Sequence, residues 1–154
     1  MADVRIERDH PSRPDVARLL AEHLTDMHAT SPPESVHALD HTELVDPAIT
    51  FWSVRDETTL LGCGALRELS AAEGEIKSMR TADVARGRGV ASSLLMHLVD
   101  QAGQRGYRRL FLETGTQPYF APARRLYERH GFAECPPFGD YRFDPNSVFM
   151  TLDL

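Results

Sequence analysis

The stretch Arg86-Gly87-Arg88-Gly89-Val90-Ala91 holds the residue types suited to gripping a phosphate-bearing ligand. Val90, Leu94, Leu95, Leu98, Val99 and Ala102 follow at helical spacing, which predicts a helix reaching about Gln104. The glycines therefore stand where a turn feeds a helix N-terminus. There the first-turn N–H groups lack intrahelical acceptors and the helix dipole is positive, while glycine lets the backbone approach a bulky phosphate. Arg86 and Arg88 add charge. A short Gly-rich turn before a helix is also ordinary structural punctuation. A P-loop is excluded, because that motif needs Lys and then Ser or Thr after its last glycine and Val90-Ala91 follow here. A dinucleotide fingerprint is partly met. Gly87-x-Gly89 opens the helix and Glu113 ends the next apolar run, where a ribose-binding acid belongs, but the third glycine would be Ser92 and no βαβ series follows.

Residues 75–81, Glu-Ile-Lys-Ser-Met-Arg-Thr, then a short loop and Arg86-x-x-Gly89-x-Ala91, resemble the acetyl-CoA signature of the GNAT acetyltransferase superfamily, Arg/Gln-x-x-Gly-x-Gly/Ala. Residues 123–132, Ala-Arg-Arg-Leu-Tyr-Glu-Arg-His-Gly-Phe, resemble that family's second landmark, an Ala-x-x-Leu-Tyr helix closed by Gly-Phe. The two landmarks lie in the right order, about 35 residues apart. The resemblance covers roughly residues 60–134. It implies acetyl-CoA as co-substrate, no metal, and direct transfer to a primary amine of a small polar molecule in a ternary complex. By the same resemblance, backbone groups of Met79, Arg80 and Thr81 would hold the pantetheine arm between splayed fourth and fifth strands. The pyrophosphate would rest on Gly87, Arg88, Gly89, Val90, Ala91 and Ser92, beside Arg86. Many relatives carry an Asn after the fifth strand that binds the pantetheine. Here that segment is Glu113-Thr114-Gly115-Thr116-Gln117-Pro118, leaving Thr114 or Gln117 for the role.

Acyl transfer to an amine needs a neutral nitrogen, and an alkylamine of pKa ~10.4 carries a deficit of about 4 to 5 kcal/mol at neutral pH. The resemblance makes Glu75 the general base, acting directly or through water, and Tyr127 the acid that protonates the leaving thiolate. Plainer readings stand beside both. Glu75 follows Gly74 at a strand edge and would then be solvated, and Tyr127 belongs to an apolar stripe with Ala123, Leu126 and His130 that would simply pack it. The family's acceptor-shaping segments correspond to residues 28–35 and 138–142. The candidate contacts there are His28, Ser31, Glu34, Tyr141 and Arg142, with Arg142 a partner for a substrate carboxylate. His37 and His41 lie one helical turn apart and with His28 could imitate a metal set, but no Cys accompanies them and a solvated surface explains them better. Competing classes are a non-catalytic acyl-CoA-binding sensor, a dinucleotide enzyme using Glu113, and transfer onto a protein N-terminus or lysine. A pure binder needs neither Glu75 nor Tyr127.

Length and composition frame the elements that must position these groups. A chain of 154 residues, 42% hydrophobic and 26% charged, suits one domain over residues 1–154 with a real core. No apolar run nears the ~20 residues of a membrane span, and residues 1–4 lack a signal peptide's basic and apolar regions. A formal charge of -6 argues against nucleic acid or an anionic membrane as main partner, while Arg86, Arg88, Arg124 and Arg125 form a local patch suited to a polyphosphate. Two cysteines, Cys63 and Cys135, suggest a reducing, cytoplasmic setting, with Cys63 a buried inert thiol. A homodimer is compatible with the resemblance. Alternating or apolar runs predict strands over 4–7, 49–54, 60–69, 75–81, 109–113, 132–135 and 147–152. Helices are expected from Pro14, briefly over 34–39, from Val90, and around Tyr127 with Pro122 in the first turn and Gly131 past the end. The order β-α-α-β-β-β-α-β-α-β-β describes an α/β fold with a mixed, mostly antiparallel sheet flanked by helices, which agrees with the GNAT fold.

Overall fold

Apolar residues three and four apart wind residues Pro14–Thr30 into α1, which buries Val16, Leu19, Leu20 and Met27. Pro14 occupies the first turn, where its missing N–H costs nothing, and Asp15 complements the helix dipole. The computed structural model describes residues 4–154. Around α1 run the strands β1 (Val4–Arg8), β2 (Ile49–Asp56), β3 (Thr59–Ser70), β4 (Glu73–Thr81), β5 (Arg109–Gly115), β6 (Ala133–Glu134) and β7 (Ser147–Asp153). Helix α2 (Val90–Gln104) follows β4, and α3 (Ala121–Arg129) follows β5. No helix among the described residues is long and apolar enough to cross a membrane.

The short helix expected over 34–39 does not form. Pro33–Ser35 and Glu43–Val45 are single 3-10 turns. Too few residues follow Pro33 to repay helix nucleation, and Ser35 Oγ instead donates to Asp144 Oδ2 at 2.6 Å.

The strands form one sheet ordered β1-β2-β3-β4-β5-β7-β6, in which β4 and β5 alone run parallel. One face carries α2 and α3 over Leu66, Ile76, Leu94, Leu98, Leu110 and Leu112. The other carries α1 over Phe51, Cys63 and Ala65. The thiol of Cys63 is pushed up to about 12 by burial, so it stays protonated. Arg55 on β2 anchors the start of α1: buried to 2% exposure, it meets Asp15 Oδ2 at 2.6 Å and Asp9 Oδ2 at 3.0 Å.

Strands β4 and β5 pair only through Glu73↔Arg109, Gly74↔Leu110 and Glu75↔Phe111, and then part. A bulge in β4 accompanies the split. Cys63 pairs with Arg80 and Ala65 with Lys77, so Ser78 and Met79 together oppose Gly64, and Ser78 adopts a left-handed φ of 57°. Such an extra residue bends its strand, here away from β5. The β4 backbone beyond Lys77 keeps β3 on one side and has no strand on the other.

Candidate active site

Below the parted strands lies the turn into α2. Gly87 and Gly89 hold φ of 77° and 76°, a region that L side chains enter at a cost of roughly 1–2 kcal/mol. A Cβ at either position would meet nothing within 4 Å, so both glycines face open space. Gly89 is the N-cap of α2 and no side chain caps the helix, which leaves its first N–H groups for a ligand. Replacing Gly89 by Val should weaken binding of the phosphate-bearing ligand expected at this turn at least tenfold, the φ strain and the added Cβ both acting there. Calorimetric titration of wild type and variant with coenzyme A checks this.

The cations around the cradle differ from the expected patch. Arg88 turns to Asp56 at 3.4 Å and does not line the cleft. Arg124 Nη1 donates to the carbonyls of Gly115 at 2.6 Å and Gln117 at 3.1 Å, stapling the end of β5. Arg86, paired with Asp83 at 3.0 Å, lines the cleft together with Arg125 and Arg129, one turn apart on α3. Arg129 was legible as Arg125 plus four on a predicted helix.

A cleft of about 650 Å³ runs from this cradle between β4 and β5 to the α1 face. Met79, Arg80, Thr81, Val90, Ala91, Ser92 and Thr114 line it. Gln117 does not, and its Nε2 donates to Asn146 Oδ1 instead, so of the two replacements for the missing Asn, Thr114 stands in the cleft. Ser78 Oγ, at the bulge, and Arg80 Nε are buried without a protein partner. An open glycine cradle, a strand edge lacking its neighbour and an unpartnered hydroxyl beside it fit a long ligand with phosphates at one end and amides along its arm. Among the described residues no group of three His, Cys, Asp or Glu is placed to hold a metal ion.

Tyr127 projects from α3 into the cleft, 8% exposed, its hydroxyl 4.0 Å from Met79 Sδ. Burial pushes its phenol up to about 12, and the charge of Glu113 adds to the shift. Glu75 is buried, at 2% exposure, not solvated, and it does not line the cleft. Its Oε2 accepts hydrogen bonds from Tyr141 OH at 2.6 Å and Lys77 Nζ at 3.3 Å, and Lys77 also donates to Tyr141 OH at 2.9 Å. Glu113, on β5, does line the cleft. Burial lifts its carboxyl to about 7, against the hydrogen bond it accepts from Ser147 Oγ at 2.8 Å and the pull of Lys77.

Of the expected acceptor contacts, Tyr141 lines the cleft, while His28, Ser31, Glu34 and Arg142 lie outside its lining. His28, Glu34 and Arg142 are exposed. At the edges of the two segments, Ser35 binds Asp144, and the ring of His37 stands edge-on to Tyr141, centroids 4.9 Å apart. His37, Lys77 and Glu113 line the cleft without having been singled out as acceptor contacts.

A helix opened by left-handed glycines beneath a parallel pair that splits mid-sheet suits an extended, phosphate-ended ligand. Residues 15–132 match the model of the acetyltransferase (GNAT) family, and the chain belongs to that family of acyltransferases. It is 51% identical over 151 residues to the uncharacterized N-acetyltransferase YsnE of Bacillus subtilis (strain 168), across 98% of this chain and 100% of the relative. It is 38% identical over 158 residues to an IAA acetyltransferase of Azospirillum brasilense, across 100% of each. Among solved structures, a Klebsiella pneumoniae protein provisionally described as an acyl-CoA N-acyltransferase superposes with a TM-score of 0.84 at 28% identity, covering 100% of this chain and 99% of that one.

Proposed function

We propose that the protein acetylates a primary amine of a small molecule, with Glu113 taking the amine proton and Tyr127 donating to the departing sulfur. The observation that carries this reading is the position of Glu113: a carboxylate in the cleft wall, where the strands have parted, with its pKa lifted to about 7. A general base works best when its pKa lies near the working pH. Lifting a carboxyl from about 4.5 to about 7 narrows the gap to an alkylammonium of ~10.4 from roughly 6 to roughly 3.4 pH units. Glu75 is held by Tyr141 and Lys77 behind the lining, and we assign it the positioning of Tyr141.

Acetyl-CoA supplies the activated acetyl group. The first-turn N–H groups of α2 hold phosphate oxygens, Arg86, Arg125 and Arg129 lend positive charge, and the free β4 edge at Met79 to Thr81 pairs with amides. Glu113 accepts the proton from the nitrogen. Tyr127, protonated throughout the working range, faces the site where sulfur gains charge. A phenol at about 12 lies further above a thiol of ~8.5 than an ordinary tyrosine does, so its main contribution is a hydrogen bond to that sulfur as charge develops. Tyr127→Phe should accordingly lower kcat about tenfold and leave both KM values nearly unchanged.

The proposal is tested by mixing the protein with acetyl-CoA and a panel of primary amines and following free thiol. Amine-dependent release supports it. Thermal stabilisation by acetyl-CoA with no release for any amine would mark a binding module and overturn it.

A further inference from the structure

The α1 end of the cleft carries two cations, and both are already engaged. Lys77 Nζ is held by Glu75 and Tyr141, and Arg80 Nη2 meets Asp26 Oδ2 at 2.7 Å while its Nη1 donates to Tyr119 OH at 3.0 Å. Two imidazoles line the same end, and burial disfavours the charged form of both, lowering His23 to about 4 and also lowering His37. The remaining arginines of the lining, Arg86, Arg125 and Arg129, belong to the cradle and α3. Glu113 is the carboxylate among the lining residues, and its hydrogen-bond donor is the Ser147 hydroxyl, not a cation. The lining at this end is also aromatic and apolar. The ring of His37 meets Tyr141 edge-on, Tyr141 packs on Phe138 and Phe149, and Met27 and Ala38 complete the surface.

We propose that the acceptor is an arylalkylamine, a primary amine carried by a short chain on an aromatic ring, with no carboxylate. This rests on the reading of the cleft as an acetyl-transfer site and names the substrate class for it. The ammonium group of such a molecule complements Glu113, and its ring meets the aromatic and apolar lining of Tyr141, His37, Met27 and Ala38. A substrate carboxylate would enter the same low-dielectric space with no free cation to meet it and with Glu113 and Glu75 repelling it. Arg142, the cation expected to receive it, is exposed outside the lining.

The test measures kcat/KM at saturating acetyl-CoA for 2-phenylethylamine, L-phenylalanine and ethanolamine. These separate the ring from the carboxylate. The expected result is a value for 2-phenylethylamine at least tenfold above each of the others. In Glu75→Gln, where Lys77 loses its carboxylate and its ammonium becomes available, the preference over L-phenylalanine should shrink at least threefold. If Glu75→Gln does not fold, the wild-type panel decides alone. Equal or better use of L-phenylalanine or ethanolamine overturns the substrate class and leaves the acetyl-transfer reading standing. An undiminished preference in folded Glu75→Gln overturns the charge argument. Absence of release with every amine overturns the transfer reading, and this inference with it.

Discussion

Glu113→Gln should lower kcat/KM for amine acetylation roughly 10²- to 10³-fold, while KM for acetyl-CoA stays near its wild-type value. The amide keeps the shape of the side chain and its hydrogen bond to Ser147, so the cradle and the splay are untouched. What disappears is the proton acceptor. The loss should not come from unfolding, and the sign of the linkage shows why. A carboxyl whose folded pKa lies above its ordinary 4.5 costs the folded state free energy once the pH exceeds 4.5, and the full cost is reached above about 7. Glu113→Gln removes that cost, so at pH 8 its Tm should equal or exceed the wild-type value. Kinetics and a melting curve on the same preparation check both halves. A tenfold smaller loss of activity, or a lowered Tm, would move the base role elsewhere.

Arg55→Ala should cost about 3 kcal/mol of stability, because it strands two carboxylates gathered around a buried guanidinium. In a domain with roughly 5–15 kcal/mol to lose, that corresponds to a Tm lowered by about 6–12 °C. Arg55 is buried among the core residues, and it ties β1 and the start of α1 to β2 through Asp9 and Asp15. Burial alone would raise Asp9. Hydrogen bonds from Ser53, the His10 N–H, Arg55 and Arg13 outweigh it and bring the carboxyl down to about 2 from 3.8, and Asp15 is lowered chiefly by its bond to Arg55. A lowered folded pKa means stability that is complete above the ordinary value and lost as pH falls toward the folded one. Wild type should therefore lose this contribution between about pH 4 and pH 2, and Arg55→Ala should show a shallower decline there. Urea unfolding at a series of pH values measures it.

The cradle was legible because each part of it is local. Helical periodicity from Val90 onward, two glycines ahead of it and an arginine beside them are neighbours in sequence, and the backbone angles of Gly87 and Gly89 follow from that turn. The strands and the antiparallel order were legible for the same reason, since alternation and turns set them. The base was not. Glu75 and Glu113 are both acidic residues on predicted strands, and periodicity treats them alike. Their difference lies in a register that only folding creates: Glu75 pairs with Phe111 in the last closed rung of β4 and β5, whereas Glu113 stands two residues beyond it, beside the gap. The Tyr141 side of the cleft was hidden by distance along the chain. Tyr141 reaches Glu75 across 66 residues and Ser35 reaches Asp144 across 109, contacts that no local pattern announces. Of the segments 28–35 and 138–142, His28, Glu34 and Arg142 face water, whereas Tyr141 and, just beyond the first segment, His37 line the cleft. Arg88 and Arg124 shared the same fate, as sequence shows their charge and not that Asp56 and two carbonyls already hold them.

The pH dependence of kcat/KM for a single accepted amine, measured on wild type, Glu113→Gln and Glu75→Gln together, tests the central assignment most directly. A limb rising through about pH 7 in wild type and in Glu75→Gln, and missing from Glu113→Gln, is the predicted result. A limb that survives in Glu113→Gln and vanishes in Glu75→Gln would contradict it and place the base on β4.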